Sequence, residues 1–197
     1  MGEPVNTLKV GAAVSPASYH QHHDLRRILI IALNYAPELV GCAKYTTELA
    51  EYLALRGHQV EVITGPPYYP AWAIPTGYSG VRWRSEVLND VIVHRTPLYV
   101  PANPGGVRRT LHLASFGAAA LPTALNAALR FKPDLVFAIA PTLAAAGAAL
   151  TAAKVAGAAS WLHVQDFEVD AAFELNMLKS KTGRAIALGV ENAIFRA

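Results

Sequence analysis

Cysteine is nearly absent: Cys42 is the only one in 197 residues. That excludes an internal disulfide and fits a reducing compartment. Charge is also scarce, at 16% of residues against 53% apolar, which is the balance of a chain with a large buried core and not of a disordered one. At this length the prior is one domain or a little more. No G-x-G occurs anywhere, so the dinucleotide-binding glycine fingerprint is missing. "GCAKYT" lacks the upstream glycine of a phosphate-binding P-loop, and the apolar run ending at Thr64-Gly65 has no acid to hold a ribose. No Ser-His-Asp, paired-glutamate or metal-ligand spacing stands out, so no metal requirement is expected. Basic residues are not interleaved with aromatics as in nucleic-acid binders, and no nucleic-acid partner is expected. The net charge of +3 is mild. It suits an anionic small molecule or an anionic membrane surface.

Residues 1–25 have two prolines, small polar residues and no sustained period, which reads as a disordered tail. His20, His22 and His23 lie in it without a cysteine or carboxylate cluster beside them, so they read as solvated. Leu111–Leu129 and Leu135–Ala153 each run 19 residues without a formal charge, near the length that spans a bilayer. Both contain a proline and are dominated by alanine and glycine. The second also divides at Pro141 into a β-like half and a helix-like half, so neither is expected to span.

The rest alternates strand and helix. "RILIIAL" (Arg27–Leu33) is a branched apolar run of the kind buried on both faces of a parallel sheet. Ala43–Arg56 has Thr46, Leu49, Ala50 and Leu53 at helical spacing, with Gly57 as its stop. Strands are predicted at His58–Thr64, within Asp90–Pro101, at "PDLVFAIA" and at Ala159–Asp166, and helices at Arg108–Phe131 (bent or broken at Pro122), in the alanine run ending near Gly157, and at Arg184–Ala197. This order implies right-handed crossovers and an α/β, Rossmann-like, doubly wound parallel sheet flanked by helices over residues 26–197. Ligands of such sheets sit outside the C-terminal ends of the strands. The loops there are 34–43, 65–80, 97–106, 140–142 and 165–170.

In the first of these, Gly41 lets backbone approach a ligand and the following helix N-terminus favours an anion. Lys44 in the first helical turn is locally unfavourable unless an anion offsets it; a surface lysine beside a tight turn is the alternative. "GPPYYPAW" brings Tyr68, Tyr69 and Trp72 on a stiff loop, which suits a sugar face or an acyl chain, or simply covers the sheet edge. "HVQDFEVD" gathers His163, Asp166, Glu168 and Asp170 at a strand end, where a carboxylate either orients a hydroxyl or acts as a base, or caps the next turn.

Together "NYAPELVGCAKYTTELAEYLALRGHQVEVITGPPYYPAW", "PLYVP", "LHLASF", "KPDLVFAIAPTL" and "LHVQDFEVDA" resemble the N-terminal half of a retaining glycosyltransferase of family 4 with the GT-B architecture. The likeness is to the transferases of colanic acid and related exopolysaccharides and covers roughly Arg27 to Ala197. The resemblance implies an acceptor-side domain whose partner domain, carrying a basic pair and a Glu-x7-Glu motif, holds the nucleotide-sugar. No two glutamates of this chain stand eight apart, so that motif is absent and the donor domain is expected to be missing, or supplied by a partner chain. A chain without those contacts is expected to be inactive alone.

By the same resemblance Gly41 and Lys44 lie near the donor phosphates, with Ala43 where the family has a second glycine. Tyr68, Tyr69, Trp72, Pro141, Thr142 and His163 are the substrate-binding candidates, and Asp166 and Glu168 the catalytic ones. The implied co-substrates are a nucleotide-sugar and a lipid-linked saccharide acceptor. The implied location is the cytoplasm, with Arg108, Arg109, Arg130 and Lys132 around an apolar helix suiting contact with the inner face of the membrane. The rival reading is a non-catalytic acceptor- or membrane-binding module, or a truncated remnant.

Overall fold

The computed structural model describes residues 25–140 and 143–164. Nine elements follow in the order β1 (Arg27–Ile31), α1 (Cys42–Leu55), β2 (Gln59–Thr64), β3 (Arg84–Leu88), β4 (Val91–Arg95), α2 (Gly106–Arg130), β5 (Leu135–Ala140), α3 (Leu143–Ala156) and β6 (Ala159–Val164). The strands form one sheet in the order β3-β4-β2-β1-β5-β6. Every neighbouring pair is parallel except β3 with β4.

The branched runs of β1 and β2 alternate between the two faces. Ile28, Ile30, Val60 and Val62 pack with α1 on one face. Leu29, Ile31 and Ile63 pack with α2 and α3 on the other. Both faces of the central strands are therefore covered, which is why their sequences are continuously apolar. The chain starts at β1 in the middle of the sheet, winds outward through β2 and β4, then crosses to β5 and β6. The order reverses between β1 and β5, and such a reversal opens a crevice at the strand C-termini.

The alanine-rich stretches fall within this architecture. Leu111–Leu129 lies inside α2, and Leu135–Ala153 divides into β5 and α3. Ala120, Ala124, Ala127 and Ala128 of α2 share a core with Ala145, Ala148, Ala149 and Ala152 of α3, where small side chains let two helices lie close together. Among the described residues no helix is long and apolar enough to cross a membrane.

Two details differ from the sequence reading within the fold it expected. Of the two outcomes expected at Pro122, a bend or a break, the break does not occur: one helix runs from Gly106 to Arg130 with Pro122 inside it. Pro122 and Ala118, whose carbonyl loses its amide partner to the proline, both lie on the exposed side, where water satisfies that oxygen. The sheet is also not wholly parallel, because "RSEVL" forms an antiparallel edge strand. It joins β4 through a two-residue turn, Asn89-Asp90, with φ of +48° and +63° at the two positions. Such primed turns match the twist of a hairpin, and asparagine and aspartate tolerate them. The Asn89 side chain donates to Glu51 of α1 at 2.7 Å and ties the turn to the domain.

Candidate functional site

The loop after β1 leads into α1 through Gly41, whose φ of +58° and ψ of −141° put it in backbone space nearly closed to other residues. A Cβ there would meet nothing within 4 Å, so the glycine serves conformation and leaves open space in front of the helix. The N-cap position, Gly41, has no side chain to cap the helix and no acid stands in the first turn, so the partial positive charge of the helix start is not answered by an acidic side chain of its own turn. Lys44 adds its charge there. It is exposed and 3.9 Å from Glu48 one turn on, a surface pair that contributes little. Ala43 is fully buried, so its methyl does not stand on the open side of the turn.

The loop after β2 is held from beneath by two residues that sequence reading missed. Glu38 is 6% exposed, and its Oε1 accepts the amides of both Tyr68 and Tyr69 at 2.7 Å. Its Oε2 accepts from the Asn34 amide group at 2.9 Å. One carboxylate thus joins the loop after β1 to the loop after β2. Arg95, at the end of β4, is 2% exposed. Its guanidinium donates to Glu86 Oε1 at 2.8 Å, to the carbonyl of Gly65 at 3.1 Å and to the carbonyl of Ala36. Tyr78 lies over it with 5.2 Å from ring centroid to guanidinium carbon. Gly65 itself is required by close approach, since a Cβ would come within 2.9 Å of Leu98 and 3.3 Å of the Leu33 carbonyl.

Above this brace Tyr68 is buried, Tyr69 exposed and Trp72 half-buried. Tyr68 and Trp72 meet edge-on at 5.2 Å, and the ring of His112 from α2 stands 4.7 Å from Tyr68 and 5.2 Å from Trp72. His112 Nδ1 bonds to the Tyr99 carbonyl at 2.6 Å, which makes it the protonated nitrogen of the neutral ring, while Nε2 is buried without a partner among the described residues. Burial lowers the pKa of His112, against the bond to Tyr99, and Arg109 lowers it further. Beside this cluster Trp72, Ile74, Pro97, Tyr99 and Val100 line a largely apolar cavity of about 490 Å³.

The proposed site residues therefore fall into three groups. Gly41 and Lys44 stand at the crevice beside β1, and Tyr68, Tyr69 and Trp72 on the loop that Glu38 ties to it. His163 is half-buried on β6, two strands from β1 and about 10 Å away across the sheet. Pro141, Thr142, Asp166 and Glu168 lie outside the described residues. Among the described residues no group of His, Cys, Asp and Glu is arranged to hold a metal ion.

A mostly parallel doubly wound sheet flanked by helices is a Rossmann-like α/β domain, and domains of this kind bind their ligands at the strand C-termini beside the switch point. The glycosyl transferase 4-like domain family matches residues 40–196, and the chain belongs to that family. It is 44% identical over 163 residues to WcaI of Escherichia coli (strain K12), a protein provisionally named as a colanic acid biosynthesis glycosyl transferase. That match covers 82% of this chain but 40% of the relative, so the chain spans less than half of the length of the curated protein it matches. Its fold is similar to the catalytic domain of starch synthase IV from Arabidopsis thaliana, solved with ADP and acarbose. The TM-score is 0.53 at 20% identity, over 74% of this chain and 35% of that one.

Proposed function

We propose that this chain is the acceptor-side half of a nucleotide-sugar-dependent glycosyltransferase of surface polysaccharide biosynthesis. The observation that carries this reading is the 44% identity over 163 residues to a relative named for colanic acid biosynthesis. The geometry supports it through the uncapped start of α1 beside Gly41, which suits a diphosphate. On this reading Gly41, Lys44 and the amides of α1 meet the donor phosphates. Tyr69 and Trp72 face the acceptor, and the apolar cavity beside Trp72 takes the lipid portion of a lipid-linked saccharide. Pro141, Thr142 and His163 complete the substrate surface. Asp166 and Glu168 act on the reacting hydroxyl, and no metal is required. Transfer then depends on donor-binding groups contributed from outside this half, in the same chain or another. The domain works in the cytoplasm, in peripheral contact with the inner membrane face.

The test is thermal shift of the chain with separate ligands, because a ligand that binds the native state raises its melting temperature. A rise with a nucleoside diphosphate sugar, lost in Gly41→Ala, is the expected result. A rise only with lipid-linked acceptor mimics or anionic vesicles would instead favour a non-catalytic binding module. In the complete two-domain enzyme, Asp166→Asn is expected to lower kcat with little loss of stability; unchanged turnover would remove Asp166 from the site.

A further inference from the structure

Helix α2 carries no Asp, Glu, Lys or Arg from Thr110 to Leu129. A surface helix ordinarily turns charged residues to solvent on the side opposite its core face. Here the core face holds His112, Phe116, Ala120, Ala124 and Ala127, and the opposite face is apolar as well. Val107, Leu111 and Leu121 are 75%, 54% and 37% exposed. Ala114 and Ala118 between them are exposed and Leu125 is half-buried. These six positions follow at alternating steps of four and three residues, which on a helix keeps them in one outward stripe.

The stripe reads the same from either end, because its positions are symmetric about position 116. An antiparallel copy of the helix therefore sets Val107 against the partner's Leu125, Leu111 against the partner's Leu121, and Ala114 against the partner's Ala118. That is the alternation of knobs-into-holes packing. Its smallest side chains fall at the two-fold axis, where they let the helix axes approach to the short end of the usual range of about 8–10 Å. One self-complementary patch serves both chains, as a two-fold contact requires. Charge selects the same direction. In a parallel pair Arg108 and Arg109 would stand level with their own copies, whereas the antiparallel pair sets them level with the partner's Ala124 and the partner's Thr123. The helix dipoles then also run in opposite directions.

We propose that the outward face of α2 is a dimerisation surface on which a second copy of this chain packs antiparallel. An anionic bilayer is the competing occupant of such a face, but helices that lie on one carry Lys and Arg along their polar flank. In α2 the basic residues stand only at the two ends, as Arg108, Arg109 and Arg130. The contact from Val107 to Leu125 is about 27 Å long and about 10 Å wide. That falls short of the roughly 800 Å² per partner of a standard interface, so the pair is a weak one in exchange with monomer. The Ala118 carbonyl points along the helix towards Pro122, on the flank of the stripe, and keeps its access to water in the pair. The surface lies on the face of the sheet opposite α1 and stands whether or not the glycosyltransferase reading holds.

The experiment is analytical ultracentrifugation of the full chain from roughly 1 to 300 µM, a range suited to a small interface. The average mass is expected to climb with concentration from one chain mass towards two. Leu111→Glu and Leu121→Lys, both on exposed side chains, should each raise the dimer dissociation constant at least tenfold with the melting temperature unchanged. Mixed one to one, the two variants should associate at least tenfold more tightly than either alone. The antiparallel register sets the introduced carboxylate against the introduced ammonium at one contact and leaves leucine against leucine at the other. Mixing cannot repair a misfolded chain, so this rescue separates a lost interface from a lost fold. One chain mass at every concentration, association undiminished in Leu111→Glu, or no rescue on mixing would overturn the proposal. Monomer that binds phosphatidylglycerol vesicles, and loses that binding in Leu111→Glu, would give the face to lipid and overturn it equally.

Discussion

Glu38 and Tyr68, 30 residues apart in the chain, are joined by a 2.7 Å bond from the Tyr68 amide to the Glu38 carboxylate. The Tyr69 amide meets the same oxygen at the same distance. A charged acceptor shared by two amides, one of them buried, is stronger than a neutral one and costly to remove.

Glu38→Ala leaves both amides without their acceptor, at about 1–3 kcal/mol for each fully desolvated group. For a domain of this size the melting temperature should drop by roughly 5–15 °C. Glu38→Gln, which keeps an acceptor oxygen and loses only the charge, should cost less than Ala. Thermal denaturation followed by circular dichroism measures both. Chymotrypsin cleavage within 65–80 should accelerate in the same order, and a Glu38→Ala protein melting like the parent would remove the brace from this account.

Arg95 is the second brace, and lysine cannot replace it. Its fork reaches Glu86 and two backbone carbonyls at once, whereas an ammonium reaches at most part of this set. Arg95→Met also removes the buried partner of Glu86, whose carboxylate keeps only the half-exposed Arg84 at 3.6 Å, so the loss should fall below the roughly 3–5 kcal/mol of a buried charge left wholly unpaired. Urea midpoints should fall for Arg95→Lys as well as for Arg95→Met. Equal stability of the lysine variant would show that one contact suffices.

Gly41→Ala tests conformation rather than space. The new methyl meets nothing within 4 Å, so the cost comes from holding a non-glycine residue at φ +58° and ψ −141°, about 1–3 kcal/mol. If a bulky residue at position 41 leaves the urea midpoint unchanged, the turn is free to adopt another backbone path.

Acid should destabilise the fold in two steps. Burial depresses the pKa of His112 below its ordinary 6.5, so the unfolded chain takes up that proton first. Its contribution is complete above about pH 6.5 and is lost as pH falls through the folded value. At Glu61 burial pushes the carboxyl up, but the bonds from His94 and Arg130 outweigh it and hold the pKa below 4.5. Its share is present above pH 4.5 and lost as pH falls further. Melting temperature against pH should therefore slope downward from about pH 6.5 towards acid, and His112→Phe should flatten the upper part of that slope alone.

The sequence made some of this legible. The branched runs of β1 and β2 signalled strands buried on both faces, and Gly57 stops α1 as expected, at φ +89° with its amide on the Ala54 carbonyl. The β3 edge was missed because its residues, exposed or half-buried, carry no apolar alternation; only the Asn89-Asp90 turn could have announced it. Glu38 and Arg95 were missed for another reason. A lone glutamate in a loop and an arginine at a strand end ordinarily read as solvated, and their partners lie as far as 59 residues away. Hydrogen bonds of that reach become visible only when the sheet has set the loops side by side. The same holds for His112, whose helical position gives no hint that it closes a ring cluster with Tyr68 and Trp72.

Glu38 grips the loop after β2 through main-chain amides, and Arg95 grips it, and the loop after β1, through main-chain carbonyls. Apart from the Asn34 amide on Glu38 and the Tyr78 ring over Arg95, what these anchors hold in the two loops is main chain. The exposed residues of the loop, Tyr69 among them, can therefore be exchanged without loosening its frame, and shape and chemistry are inherited separately there. A fold built this way can be retuned from one ligand to another by changes at the loop surface while the scaffold beneath stays as it is.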